Sequence, residues 1–294
     1  MDRFGRKRII TSFAIAFTLT QINVNRSINP FNMCLLWGSM MKYTAIISVI
    51  LLVTGFQLQA HDLPMGDCES PKPRTDLRHC SFAGKTLPAL NLQGSWLDGV
   101  NFQNGKFEHC DFSGASLKKA DLKWAFLLDC RLGGADFSEA DLFHTTFDGS
   151  QMNASQFTKA NMFGANLNEV EAREADFTEA YMKDVAMEEG VFNRSKFVAS
   201  FMQRAVLIGS TLHDSTFYTT VLTGAALEDS DFTRANMTRA LMNGVHMENA
   251  KFIEANLSRA RFTNAVLRDT DFSNARHIPP MLADLINKKG AGVN

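Results

Sequence analysis

The sequence lacks the short motifs that mark the common enzyme classes. Its 294 residues contain no HExxH, GxSxG or CxxC pattern and no glycine loop of the phosphate-binding type. The zinc-protease, nucleophile-elbow, thioredoxin-like and P-loop chemistries that such motifs carry are therefore unsupported. The seven histidines are scattered along the chain without a ligand-like spacing. We expect no enzyme activity, no catalytic residues, no cofactor and no metal site.

What the sequence has instead is a period of five residues that runs without a slip from Leu77 to Phe272. The middle residue of each of these forty pentads, here called the centre, is Leu in sixteen, Phe in fifteen and Met in eight, and Ala172 is the exception. Two residues before the centre lies a small or slim residue in thirty-eight pentads. A repeat this regular decides the fold class before any domain is counted.

A period of five fits neither a helix nor a flat strand. Successive centres would spiral around an α-helix, and on a flat strand an odd period would send them to opposite faces. The chain must instead bend once per pentad, so that every centre points inward. Glycine recurs at the second residue after the centre, where a corner with positive φ would favour it: Gly84, Gly94, Gly99, Gly114, Gly134 and Gly149.

With Asp or Asn often standing between the small residue and the centre, as in residues 140–142 (Ala-Asp-Leu) and 165–167 (Ala-Asn-Leu), the chain resembles the pentapeptide-repeat family. The resemblance implies an all-β fold, a right-handed quadrilateral β-helix with four pentads per coil. Residues 75–278 would then form about ten coils, and stacking at about 4.8 Å would give a rod about 45 Å long. The centres would stack into a dry core.

The two ends of the repeat have a different composition. Residues 61–74 are rich in turn formers and are predicted to be an irregular leader over the first coil. Residues 279–294 are predicted to form a cap helix and tail, because two prolines suit a helix start and Gly290 suits a stop. A frayed tail is the alternative. Four apolar residues should line the face of the helix that covers the rod: Met281, Leu282, Leu285 and Ile286.

Residues 41–60 are typical of a secretory signal peptide. Lys42 precedes an apolar run over 43–56, and the next few residues, ending at Ala60, suit a cleavage region. Residues 1–40 do not fit a single signal, so they are either an over-extended reading frame or part of a tandem membrane-anchoring region. We expect a mature form that is periplasmic or secreted and that does not span the membrane.

The charge of the predicted mature chain is negative. Residues 61–294 contain thirty acidic and twenty-four basic side chains. An acidic excess argues against binding to nucleic acid or to an anionic membrane surface. The expected partner is therefore a protein or a second copy of this chain.

Four cysteines belong to the predicted mature chain, an even number that suits an oxidising compartment. Cys68 and Cys80 are candidates for a disulfide that joins the leader to the first coil. Cys110 and Cys130 hold the same inward position one coil apart, so their Cα atoms should lie about 4.8 Å from each other, within disulfide range. Because both side chains point the same way, two stacked free thiols are an alternative that remains open.

Sorting the outward residues by a period of twenty predicts two distinct surfaces. The first, the aromatic stripe, is a candidate interaction surface and consists of Trp124, Phe143, Phe163, Tyr181, Phe201, Val221 and Leu241. The second, the acidic face, lies on the next side and consists of Glu108, Asp129, Asp148, Glu169, Glu188, Glu189, Glu228, Asp229, Glu248 and Asp269. A run of exposed apolar residues is typical of a contact surface. Neighbouring side chains that cover the stripe would be the alternative.

These observations favour a non-enzymatic, exported protein that acts as an interaction or structural module. The alternative is a cytoplasmic DNA mimic that binds DNA gyrase, since the repeat also resembles the quinolone-resistance branch of the family. The predicted signal peptide and the confinement of the acidic residues to one side count against that branch.

Overall fold

The structure, a computed structural model, describes residues 62–289. The segments interpreted as an over-extended start and as a signal peptide, residues 1–40 and 41–60, lie outside the described residues. Among residues 62–289, no helix is long and apolar enough to cross a membrane.

Short parallel β-bridges join residues that are twenty apart in the sequence. Four successive pentads each belong to a separate ladder, with the pairs Ser81 and Asn101, Thr86 and Lys106, Asn91 and Asp111, and Trp96 and Ser116. A coil therefore has four sides and contains twenty residues, and each side stacks on the equivalent side of the next coil. This is the four-sided β-helix that the resemblance implies.

Only two stretches of the described chain form strands longer than a single bridge. They are β1 (Lys106–Glu108) and β2 (Phe126–Leu128), which pair in parallel with Phe107 opposite Leu127. Elsewhere the bend in each pentad leaves room for one bridged residue per side. Backbone pairing between coils is therefore distributed over many short contacts.

Most pentads bend at a tight turn, and the second residue after the centre has positive φ in every pentad from Gly84 to Asn274. The N–H of Lys85, for example, donates to the carbonyl of Phe82 at 3.1 Å, and Gly84 between them has φ of 64°. Positive φ at the third turn residue alone defines a type II turn. The prediction that the corner glycines have positive φ is thus confirmed. Glycine is not required at this position, because Trp124 has φ of 59° and Glu139 has φ of 60° there.

The core consists of the stacked centres. Every centre from Leu92 to Phe272 is buried. Five phenylalanines form one continuous stack with ring centroids 4.7–5.0 Å apart: Phe137, Phe157, Phe177, Phe197 and Phe217. Face-to-face packing at strand spacing fills the interior and excludes water.

The leader adds to the first coil through backbone pairing. Met65 forms a parallel bridge with Asp76, and the N–H of Asp76 donates to the carbonyl of Pro64 at 2.8 Å. Because Asp76 also bridges Trp96, the leader residues occupy the place of a preceding strand. Apart from the bridge at Met65, residues 62–74 form only bends, turns and irregular backbone.

A single described helix, α1 (Pro280–Lys289), follows the last repeats. Leu282 and Ile286 are buried in the hydrophobic core, and Leu285 packs against it. The expectation for Met281 is wrong, because its side chain is 53% exposed. On a 3.6-residue helix, residue 281 lies at the edge of the apolar face, about 140° from the buried residue 286.

Candidate interaction surfaces

The aromatic stripe occupies one side of the β-helix but crosses it obliquely. Trp124 is the second residue after its centre, Phe143 and Phe163 are the first, and Tyr181 and Phe201 directly precede theirs. Val221 and Leu241 continue the stripe on the next two coils. Val221 bridges Phe201, and Leu241 bridges Val221. The stripe therefore moves from the turn to the bridged strand position as it descends the rod.

The aromatic side chains of the stripe contact one another without a gap. The ring centroids of Phe143 and Phe163 lie 5.4 Å apart with planes 9° from parallel. The rings of Phe163 and Tyr181 stack at 6.1 Å, and those of Tyr181 and Phe201 lie 6.4 Å apart with a tilt of 48°. At the other end Trp124 meets Phe143 edge-on at 5.4 Å. Five rings thus form one ladder on the outside of the rod.

Exposure differs along the stripe. Trp124 is 50% exposed, Tyr181 42% and Phe201 48%, whereas Phe143 and Phe163 are half-buried because the rings cover each other. Val221 and Leu241 are also half-buried. The ladder therefore presents three well-exposed aromatic rings, held by two that are partly covered.

His144 belongs to this ladder, although the sequence analysis missed it. Its imidazole stacks on the indole of Trp124 with centroids 4.3 Å apart and planes 6° from parallel, and it meets the edge of Phe143 at 4.4 Å. The signal was present in the sequence, because His144 lies twenty residues after Trp124. The stripe was defined by Trp, Phe, Tyr, Val and Leu residues, so histidine was left out.

The acidic face lies on the adjacent side, the one that contains β1 and β2. Its members occupy the two positions after the centre: Glu108, Asp148, Glu188, Glu228 and Glu248 at the first, and Asp129, Glu169, Glu189, Asp229 and Asp269 at the second. The fold thus brings all ten carboxylates to one side. His109 lies 4.0 Å from Asp129 and adds a basic group that the sequence analysis did not include.

The carboxyl group of Asp148 has a raised pKa on this face. Burial raises the pKa of the Asp148 carboxyl above its ordinary value, the backbone N–H of Asn168 opposes this shift, and the charge of Glu169 adds to it. The N–H of Asn168 donates to Oδ1 of Asp148 at 3.3 Å, and the side-chain amide of Asn166 donates to Oδ2 at 3.2 Å. Asp148 is therefore held by donors from the next coil.

The four cysteines divide into a disulfide and two thiols. Cys68 and Cys80 form a disulfide between the leader and the first coil, whereas Cys110 and Cys130 are free and buried. The thiol of Cys110 donates to the carbonyl of Leu87 at 3.1 Å, and that of Cys130 to the carbonyl of Phe107 at 3.3 Å. The hydrogen bond with Cys110, together with burial, raises the pKa of Cys130. Both thiols thus link neighbouring coils.

Comparisons with known structures find similar chains at low sequence identity and with low TM-scores. HetL, from the cyanobacterium Nostoc sp. strain PCC 7120 and involved in heterocyst differentiation regulation, is 20% identical, with 68% of this chain and 90% of HetL covered and a TM-score of 0.31. QnrB1, a plasmid-mediated fluoroquinolone resistance protein, is 15% identical, with coverages of 69% and 98% and a TM-score of 0.41. A pentapeptide repeat protein from the Arabidopsis thaliana thylakoid lumen is 23% identical, with coverages of 39% and 79% and a TM-score of 0.36.

Sequence comparison identifies the family directly. No curated protein matches the chain. The family model described as a pentapeptide repeat region matches residues 100–177, and the model for pentapeptide repeats in eight copies matches 200–239, 212–249 and 240–276. These matches span more than half of the sequence and coincide with the repeats that build the four-sided β-helix. The chain therefore belongs to the pentapeptide-repeat family, whose fold is a right-handed β-helix.

Proposed function

We propose that this protein is a non-enzymatic, exported pentapeptide-repeat module, a rod of about ten coils that binds another protein through the aromatic stripe. The observation that carries this proposal is the unbroken contact of five rings, from Trp124 to Phe201, on the outer surface. Aromatic side chains that are held rigid before binding lose little conformational entropy in a complex, and they dominate the energetics of many interfaces. A second copy of this chain is the alternative occupant.

The acidic face has a supporting role in this proposal. Carboxylates at the rim of an interface accelerate encounter with a basic partner and set its salt dependence, but they add little to the final affinity when exposed. The face borders the stripe, so a partner that covers the rings would reach the carboxylates as well. A partner with a basic rim around an apolar contact fits both surfaces.

Export is supported by two independent features. One is the basic residue Lys42, followed by the apolar run over 43–56. The other is the disulfide between Cys68 and Cys80, a bond typical of oxidising compartments. A cytoplasmic DNA mimic would need neither feature. Acidic side chains such as Glu139, Asp184 and Asp214 lie on the other sides of the rod, where each pairs with a basic residue, so the placement of the carboxylates does not separate the two functions.

The test compares two sets of substitutions in the same chain. Replacing Phe143, Phe163 and Phe201 with Ser should leave the circular dichroism spectrum unchanged and abolish binding. The control replaces Leu128 and Ile208, outward apolar residues on the acidic side, with Ser and should bind normally. Light scattering over a range of concentrations reports self-association, and affinity capture from the extracytoplasmic fraction reports a partner. Normal association of the triple-Ser variant would refute the role of the stripe.

A further inference from the structure

Glu228, His246 and Glu248 bring three metal-binding groups together on the acidic face. One carboxylate oxygen from each glutamate and one imidazole nitrogen all lie within 4.8 Å of one another. The topology explains the cluster. His246 and Glu248 flank the buried centre Met247, so both project outward from the same side of one coil. Glu228 precedes Glu248 by twenty residues and therefore lies beside it on the neighbouring coil.

Two of the carboxylate oxygens in this cluster have no partner. Oε2 of Glu228 and Oε2 of Glu248 are inaccessible to solvent, and neither accepts a hydrogen bond from the described part of the chain. No ion pair within residues 62–289 joins either glutamate to a lysine or an arginine. Adjacent carboxylates whose oxygens are withdrawn from water without a donor are destabilising unless a cation lies between them.

Shorter side chains at the same register position of this face are satisfied by the backbone. Oδ1 of Asp148 accepts from the N–H of Asn168, and Oδ1 of Asn168 accepts from the N–H of Glu188 at 2.8 Å, each donor lying one coil further on. A glutamate is one methylene longer, so the carboxylates of Glu228 and Glu248 extend beyond this backbone donor. Their length removes the usual hydrogen bond and places the oxygens beside the imidazole of His246.

We propose that Glu228, His246 and Glu248 bind one divalent transition-metal ion, with Zn²⁺ the best match. A ligand set of two carboxylates and one imidazole suits Zn²⁺, whereas Ca²⁺ and Mg²⁺ take oxygen ligands. Tetrahedral ligands at about 2.0–2.2 Å from the metal lie about 3.4 Å apart. The three donor atoms lie no more than 4.8 Å apart, so they must converge by at most about 1.4 Å to bind the ion. The exposed side chain of His246 permits this movement.

The site would have two consequences for the rod. The ion would join two neighbouring coils through side chains, adding to the backbone bridge between Ala226 and His246. Three protein ligands leave one tetrahedral position for water, and the exposure of His246 directs that position toward solvent. This proposal does not depend on the aromatic stripe, and failure of one leaves the other intact.

The experiment measures Zn²⁺ binding to the full chain, stripped of metal and kept oxidised, by competition with a chromophoric chelator. Oxidising conditions matter because reduction of the Cys68–Cys80 disulfide beside His79 would create a second ligand cluster. The wild-type chain should bind one Zn²⁺ that His246→Ala and Glu228→Gln each weaken at least tenfold. The matched control, Glu188→Gln, removes a carboxylate from the same register position, two coils away, and should bind as the wild type does.

Thermal unfolding gives an independent measure of the same site. Zn²⁺ should raise the melting temperature of the wild type and of Glu188→Gln but not that of His246→Ala, because an ion that binds only the folded state stabilises it. If His246→Ala fails to fold, His246→Gln replaces it and keeps the outward position polar. Absence of Zn²⁺ binding by the wild type, or binding by the His246 and Glu228 variants that is as tight as that of the wild type, would overturn the proposal.

Discussion

The imidazole of His144 lies flat on the indole of Trp124, with ring centroids 4.3 Å apart. Both residues occupy the turn position of positive φ, with φ of 52° for His144 and 59° for Trp124. Similar backbone conformations one coil apart place the two side chains in parallel. The stack holds Trp124, the most exposed ring of the stripe, in a single orientation at the end of the ladder.

We expect His144→Ala to weaken binding through the stripe about two- to tenfold without unfolding the rod, because an aromatic pair contributes about 0.5–1.5 kcal/mol. Alanine is accepted at this backbone position, as Ala154 shows with φ of 57°. Glu139→Ala, at the same turn position on another side, is the matched control. Titration calorimetry with the captured partner measures the effect. Identical affinities for the two variants would show that the stack is irrelevant to binding.

Phe157→Asp should destabilise the rod by at least about 4 kcal/mol, because it removes a ring from the continuous stack and buries an unpaired charge. The ring centroid of Phe157 lies 5.0 Å from that of Phe137 on one side and 5.0 Å from that of Phe177 on the other. Thr158→Asp adds the same charge at the next, outward position and should change stability little. Thermal unfolding of both variants decides the point. Equal melting temperatures would contradict an inward orientation of the centres.

Replacing Glu188 and Glu189 with Gln and Asp229 with Asn should lower the association rate and flatten its dependence on salt concentration. Exposed carboxylates steer a basic partner over distances that salt screens. The complex at high salt should keep its wild-type dissociation rate, since the rings are intact. Stopped-flow measurement across ionic strengths tests this. Loss of binding at all salt concentrations would make the acidic face, and not the stripe, the main contact.

Cys68→Ser should loosen the leader, with a loss of about 2–4 kcal/mol in local stability, because the Cys68–Cys80 disulfide closes a loop between the leader and the first coil. Hydrogen exchange should accelerate over residues 62–76 and remain slow in the later coils. Cys110→Ser is the control, since a hydroxyl can keep the bond to a carbonyl, as Ser150 does with Leu127 at 2.7 Å. Equal exchange in both variants would contradict the prediction.

The mature protein should begin near His61 and should be recovered outside the cytoplasm. Cleavage after Ala60 follows from the basic residue, apolar run and short polar end over residues 41–60. Intact mass measurement after cell fractionation tests both parts. A cytoplasmic product that retains residues before Met41 would contradict export and return weight to the gyrase-binding alternative.

The sequence by itself determined the coil. The unbroken period of five predicted that centres such as Phe157 point inward and that corners such as Gly84 have positive φ, because one bend per pentad is the only geometry that buries every centre. The number of sides came from the family resemblance, since a period of five is compatible with other polygons. Residues twenty apart could then be assigned to a common side, which placed Phe143 above Phe163.

Only the tertiary structure decided which neighbours on a side make contact. Trp124 and Tyr181 occupy different positions within their pentads, so their membership of one ladder depends on side-chain direction and rotamer. For the same reason the sequence could not separate the disulfide of Cys68 from the free thiols of Cys110 and Cys130. Nor could it show that Glu228, His246 and Glu248 converge. A repeat specifies the backbone that all pentads share, whereas a site depends on the individual side chains by which the pentads differ.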